Sequence, residues 1–328
     1  MSTKISWASD VWNPVIGCTK VSAGCAGCYA MRMAARLASN PLTPEYAGVA
    51  EFSAGRNPRW LSVKTLPERL GEPLRWKKPR RVFVCSMADL FHDDVPDEFI
   101  AAVFGVMAAC PQHCFLVLTK RPARMLRFFK RYAEILRPLE TPDAAGFFIA
   151  MAADLMQWSG VLAPDEVLRD PEEYSGITWP LPNVHLGVSV EDQATADERI
   201  PLLLQTPATL HWASAEPLLG PVQFWSVNDG SWYDREGATR YDSLTGTAWH
   251  GSDFSYGLGG GPRLGHVVVG AESGPGARPM RLDWVRSIRD QCADSGVPLF
   301  VKQLTGEHGK VVKDITEFPA DLQIQEYL

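Results

Sequence analysis

Seven short runs of β-branched and aromatic residues alternate with longer helical patterns along most of this 328-residue chain. That alternation points to repeated β-α units around a mainly parallel sheet. The expected strands lie at 11–18, 81–86, 114–119, 184–189, 209–214, 266–270 and 298–302. Between them, 96–109 and 284–293 carry apolar residues at nearly every third or fourth position, as helices packed on a sheet do. Six or seven such units predict a partial (β/α)6-type barrel of parallel strands with helical and loop insertions. A doubly wound open sheet is the competing α/β architecture, because periodicity does not separate the two. We read one domain over 1–328 with two insertions. The first, about 138–182, is acidic and helix-prone; the second, about 223–263, is rich in Gly, Ser, Trp and Tyr and reads as a long loop. Its Trp225, Trp232, Tyr233, Tyr241, Trp249 and Tyr256 would either stack on a base or pack on the barrel.

In either architecture the functional groups gather at the carboxyl ends of the strands. Here those ends are polar: Ser86 to Asp89, Thr119-Lys120-Arg121, Ser189 to Asp192, Ser214-Ala215-Glu216, Ala271-Glu272-Ser273 and Lys302-Gln303. Any one of them also suits a loop or a helix N-cap. Six at one rim predict a site.

Three of the seven cysteines, Cys18, Cys25 and Cys28, fall within eleven residues, beside Gly17, Gly24 and Gly27, just before a helical pattern. The glycines permit tight or left-handed turns, so the three thiolates can meet at one point. Thiolates hold iron-sulfur clusters, and three of them leave one iron of a four-iron cluster open to a small molecule. Cys85, Cys110, Cys114 and Cys292 sit inside strand or helix patterns and read as small buried hydrophobes. An odd total of seven argues against a full disulfide framework.

The chain is 46% hydrophobic, yet no apolar run approaches the roughly 20 residues that span a bilayer. The start, Met1 to Trp7, has no long apolar segment, so a cytoplasmic protein with reduced thiols is expected. A net charge of −6 gives no general drive toward nucleic acid. Two local runs do: Arg75 to Arg81, containing Trp76, and Lys120, Arg121, Arg124, Arg127, Lys130 and Arg131 at mostly helical spacing. A solvated helix face is the alternative for each.

Trp12-Asn13-Pro14-Val15-Ile16-Gly17-Cys18, followed by Cys25-Ala26-Gly27-Cys28-Tyr29-Ala30, resembles the opening of the photoproduct-lyase-like radical S-adenosylmethionine (SAM) enzymes. The chain is most similar to the phage and bacterial three-cysteine-motif family. Asp89-Leu90-Phe91, Leu118-Thr119-Lys120-Arg121-Pro122, Gly187-Val188-Ser189-Val190-Glu191, Ala215 to Gly220 and Gly270 to Pro279 look like further blocks of that family. The likeness covers the chain outside the insertions. It departs in having six residues between the first two cysteines where the common motif has three, and Gly27 where an aromatic is frequent. The resemblance implies a [4Fe-4S] cluster on Cys18, Cys25 and Cys28, with SAM on the fourth iron. It implies Asp89 against the SAM ammonium, Ser189 and Glu191 on the ribose, and the Gly27 backbone on the adenine. A reductant protein such as flavodoxin or ferredoxin would supply the electron.

On the substrate side, Lys120, Glu216, Glu272, Arg278 and Lys302 are the charges placed to act, with a network of salt bridges as the alternative for the same residues. The leading expectation is hydrogen abstraction from a nucleic-acid component, a pyrimidine base in DNA. One alternative keeps the radical chemistry on a small metabolite or peptide. Another is a zinc-stapled nucleic-acid-binding protein, with Cys85 or His92 as fourth ligand. His92 itself reads as a surface loop histidine.

Overall fold

The computed structural model describes residues 5–55, 57–137, 144–159, 178–228, 238–250, 257–258, 260–306 and 309–327. The chain is a mixed α/β protein with a large, mostly parallel sheet flanked by helices. It divides into two compact units, Met1–Lys20, Cys28–His185 and Pro207–Thr209 in the first, and Val21–Gly27, Leu186–Thr206 and Leu210–Leu328 in the second. Among the described residues no helix is long and apolar enough to cross a membrane.

In the first unit β1 (Asp10–Trp12), β2 (Arg81–Val84) and β3 (Cys114–Thr119) pair in parallel in that order. Trp12 stands opposite Val84, and Val84 opposite Val117. The single strand expected at 11–18 is broken after Trp12. Pro14 has no N–H to give a ladder, and Val15–Ile16 instead pairs antiparallel with Lys64–Thr65. The Asn13 carboxamide oxygen accepts from Ser86 Oγ and Met87 N, both at 3.1 Å, which fastens this break to the loop after β2.

α1 (Tyr29–Ala38), α2 (Asp97–Ala108), α3 (Pro122–Leu136) and α4 (Ala144–Trp158) complete the unit. Asp97 and Glu98 occupy the first turn of α2, where the exposed N–H groups favour negative charge. The rest of α2 is buried from Phe99 to Ala108. Phe91, Phe104, Phe128, Phe129 and Phe148 meet with ring centroids 5.1 to 6.5 Å apart. α4 realises the helix-prone character of the first insertion; its residues 160–177 lie outside the described ones.

β4 (Val184–Ser189) begins in the first unit and runs into the second. There the strand order continues through β5 (Leu210–Ala215), β6 (Leu264–Gly270) and β7 (Leu299–Thr305), parallel, to the short antiparallel β8 (Val311–Val312). α5 (Gln193–Leu204) follows β4 and starts with a reciprocal cap between Asp192 and Thr195. α6 (Leu282–Ser295) follows β6 and stops at Gly296, whose φ of 64° is the left-handed value that ends helices.

The second insertion is not the long loop its composition suggests. Ala238–Asp242, Thr247–His250 and Gly257–Leu258 form a three-stranded antiparallel sheet. Asp242 Oδ1 accepts from Leu244 N and Thr245 N, shaping the connecting turn. Tyr241 is buried and Trp225 exposed, whereas Trp232, Tyr233 and Tyr256, and the side chain of Trp249, lie outside the described residues.

Gly187, in one of the blocks that carry the family likeness, has a packing reason. A Cβ there would lie 2.4 Å from Cε2 of the buried Trp212 ring. Gly187→Ala should therefore lower unfolding stability by about 1–3 kcal/mol through overpacking, read as a shift of the urea midpoint at unchanged slope.

Candidate functional site

The strand-end residues group into two clusters, one in each unit. In the first unit the loop after β2 supplies Asp89, and the turn from β3 into α3 supplies Thr119, Lys120 and Arg121. Asp89 is buried and its two carboxylate oxygens accept four hydrogen bonds: from Phe91 N at 3.0 Å, Thr119 Oγ1 at 2.8 Å, Lys120 N at 3.0 Å and Arg121 Nη1 at 3.2 Å. A carboxylate so engaged is a fixed element of its loop.

Arg121 is buried as well. Besides Asp89, its Nη1 points at Cys18 Sγ, 3.6 Å away, and its Nη2 donates to Thr19 O at 3.1 Å and to Thr19 Oγ1 at 2.7 Å. His92, expected on a surface loop, is 4% exposed and stands behind the same residue. Its Nδ1 accepts from Asp94 N, so Nε2 carries the proton and donates to Thr19 Oγ1 at 2.8 Å. Burial, with help from the Arg121 charge, holds its pKa below the ordinary histidine value. The Cys18 thiol is pushed up to about 11, by burial first and the Asp89 charge second, against the opposing pull of Arg121.

The second cluster is built around the turn that carries Cys25. Ser22 to Ala26 wind into a short 3₁₀ turn, with Cys25 N donating to Ser22 O and Ala26 N to Ala23 O. Glu191, at the end of β4 and fully buried, accepts from Ser22 Oγ at 2.7 Å and from Arg199 Nη1 at 3.4 Å. Arg199 is 2% exposed and also donates to Ser189 O at 2.8 Å. The Ser22 hydroxyl proton is committed to Glu191, so at 3.7 Å the Cys25 thiol is the donor to Ser22 Oγ.

At the other end of the turn Glu272, just beyond β6, accepts from the Gly27 backbone N–H. It also accepts from Arg278 N, Nε and Nη2 at 2.8, 2.9 and 2.5 Å. Those Arg278 bonds hold its carboxyl below the usual carboxylate range. Arg278 Nη2 reaches on to Ala23 O at 2.9 Å. Glu191 and Glu272 are thus tied to the cysteine turn and to the arginines behind it, while Ser189 accepts from Arg199 through its backbone oxygen.

Glu216, just beyond β5, faces Lys302, which lies in the middle of β7 and not at the strand end expected of it, because β7 runs on to Thr305. Lys302 Nζ bonds both Glu216 oxygens, at 2.6 and 2.8 Å, and each side chain is 17% exposed.

Cys28 is the N-cap of α1, at the end of the helix whose unsatisfied N–H groups favour a thiolate. None of the cysteines is in a disulfide; Cys18, Cys25 and Cys28 are part-exposed, while Cys85, Cys110 and Cys292 are buried, their thiols pushed up by desolvation. Cys114 is part-exposed, 3.7 Å from His185 Nδ1. Among the described residues no three His, Cys, Asp or Glu side chains are gathered as a ready ligand set.

The basic runs are largely balanced by their own acids. Arg124 and Arg131 both pair with Asp97, Arg127 with Asp93 at 3.6 Å, and Arg80 with Asp10 at 2.5 Å while lying over the Trp76 ring. Arg75, Lys77, Lys78 and Lys130 are exposed.

Thr19, Ser22 and Arg199 were missed by reading the sequence. Arg199 had a signal: it occupies an apolar-period position of α5, among buried Ala196, Ile200 and Leu203. Thr19 and Ser22 had none beyond lying between the cysteines.

Replacing Asp89 by Asn leaves the buried Arg121 charge without its carboxylate. We expect unfolding stability to fall by about 3 kcal/mol, as for a broken buried pair, measured by urea titration of the metal-free protein.

Comparison with curated proteins and with solved structures returns no match. A protein-family profile covers residues 2–321. By that match the chain belongs to DUF5131, a family described as of unknown function.

Proposed function

We propose that this protein is a radical SAM enzyme, with Cys18, Cys25 and Cys28 as the ligands of a [4Fe-4S] cluster and SAM on the remaining iron. The carrying observation is that these reduced thiols are part-exposed and that charged strand-end groups brace the segments bearing them. The donor chemistry fits: three thiolates on one short segment suit an iron-sulfur cluster with an open position. Parallel strands followed by helices in both units support the partial (β/α)6-type barrel as the architecture we adopt.

Bound together, cluster and SAM supply a hydrogen-abstracting radical after one-electron reduction by a flavodoxin- or ferredoxin-like donor. The chain's own residues do the rest. Arg121 sets a positive charge beside Cys18, which favours the thiolate a metal ligand must be. In the metal-free protein Ser22 Oγ accepts from the Cys25 thiol and so orients the sulfur before its proton is lost to ligation. Glu216 and Lys302 place an acceptor and a donor side by side, the pattern that reads an amide or imide edge with its adjacent N–H and C=O. A pyrimidine carries such an edge, and a base in DNA is the substrate we propose. Lys120, at the end of β3, and exposed Arg75, Lys77 and Lys78 are the cations assigned to its phosphates.

Anaerobic reconstitution with iron and sulfide, then SAM and dithionite, tests the class without the substrate. Wild type should take up a cluster and release 5′-deoxyadenosine slowly. Cys25→Ala should lose the iron and Cys292→Ala keep it. A colourless protein holding one zinc would overturn the reading in favour of a structural staple. For the substrate, neutralising Lys77 and Lys78 together should weaken DNA binding and flatten its salt dependence by about two counterions, measured by gel shift at two salt concentrations. Absence of wild-type binding to single- and double-stranded DNA would move the substrate to a small metabolite.

A further inference from the structure

Glu191 and Glu272 come from different strand ends of the second unit and grip opposite ends of the Ser22–Gly27 turn. Glu191 takes the Ser22 hydroxyl; Glu272 takes the Gly27 N–H and orients Arg278, which in turn holds Ala23 O. The fit is tight enough to dictate the turn's residues. A Cβ on Gly24 would lie 2.4 Å from Glu191 Oε1, and one on Gly27 would lie 2.4 Å from Glu272 Oε1. Neither glutamate can step aside easily, because one is tied to the buried Arg199 and the other to Arg278 by three bonds.

We infer that Glu191 and Glu272 are positioning residues that clamp the Cys25 turn, and that Gly24 and Gly27 are glycine because the clamp leaves no room for a side chain. The role of Cys25 as a ligand rests on the proposed function; the clamp does not. With six residues between Cys18 and Cys25, the segment spans more chain than three thiols alone would order, and the glutamates supply that order. Gly27 stands where an aromatic is frequent in the common motif because its Cβ position is taken by a carboxylate oxygen.

The test uses the metal-free full chain and iodoacetamide, with labelling of each cysteine followed by peptide mass. In Glu272→Ala and Ser22→Ala the Cys25 thiol should label about tenfold faster than in wild type, the effect of losing about one hydrogen bond to a charged group. Cys292 should label unchanged, and Ser22→Ala, which removes a single oxygen, should still unfold in one cooperative transition, its thermal midpoint lowered only by the lost bond to Glu191. Glu272→Gln, which keeps an acceptor for Gly27 N–H, should restore most of the protection. Gly27→Ala should expose Cys25 in the wild-type background but add nothing to Glu272→Ala, because the clash is then gone. Unchanged Cys25 labelling in both Ser22→Ala and Glu272→Ala would overturn the clamp, as would a Gly27→Ala effect of equal size in both backgrounds. If wild type takes up no iron while the labelling pattern holds, the clamp stands and the cluster reading falls.

Discussion

A carboxylate buried at the end of a parallel strand must be neutralised, because an isolated charge in that environment costs several kcal/mol. This chain meets the demand with arginine each time. Asp89 faces Arg121, Glu191 faces Arg199, and Glu272 faces Arg278. In each pair at least one member also reaches a cysteine-bearing segment: Arg121 at Cys18 and Thr19, Glu191 at Ser22, and both Glu272 at Gly27 and Arg278 at Ala23. The charges that fill the strand ends are thus also what gives the cysteine segments their shape. Hydrophobic packing cannot do this, since it is indifferent to direction, whereas a guanidinium and a carboxylate fix both distance and angle.

Much of the architecture was legible. The runs at 114–119 and 184–189 coincide with β3 and β4, and those at 209–214, 266–270 and 298–302 differ from β5, β6 and β7 by a few residues at their ends. A buried parallel strand needs a continuous apolar run, so its signal survives without tertiary knowledge. The misses have equally physical causes. Pro14 breaks the first strand, and the partner of Val15–Ile16 lies some fifty residues away at Lys64–Thr65, beyond any local pattern. The small antiparallel sheet in the second insertion is built from strands of two to five residues, too short to show alternation, set in a Gly- and Ser-rich stretch whose composition is that of loops.

The polar rim was harder. Its residues were found because strand ends are where polar side chains accumulate, but their partners were hidden. Helical spacing shows Arg124 and Arg131 as a basic stripe; only the fold brings Asp97 to them. His92 was read from two neighbouring aspartates as a surface residue, although Thr19, seventy-three positions earlier, covers it. Ionic partnerships at such separations leave no trace in periodicity, and three of the strand-end carboxylates are accordingly braces. The Glu216–Lys302 pair keeps the opposite character: a bidentate contact, each side chain 17% exposed, whose bonds run to each other and not to a cysteine segment.

The glycines of the cysteine turn carry a consequence for how this segment can vary and be moved. Because the space beyond Gly24 and Gly27 is filled by side chains from two other strands, the motif is not a portable module. Grafted onto another scaffold without both glutamates, it would keep its spelling and lose its shape. An aromatic before the third cysteine requires a shorter residue at position 272, so the two positions are coupled and should covary across relatives. A recognisable cysteine pattern is in this sense a record of the residues that surround it, written 169 and 255 positions away in the chain.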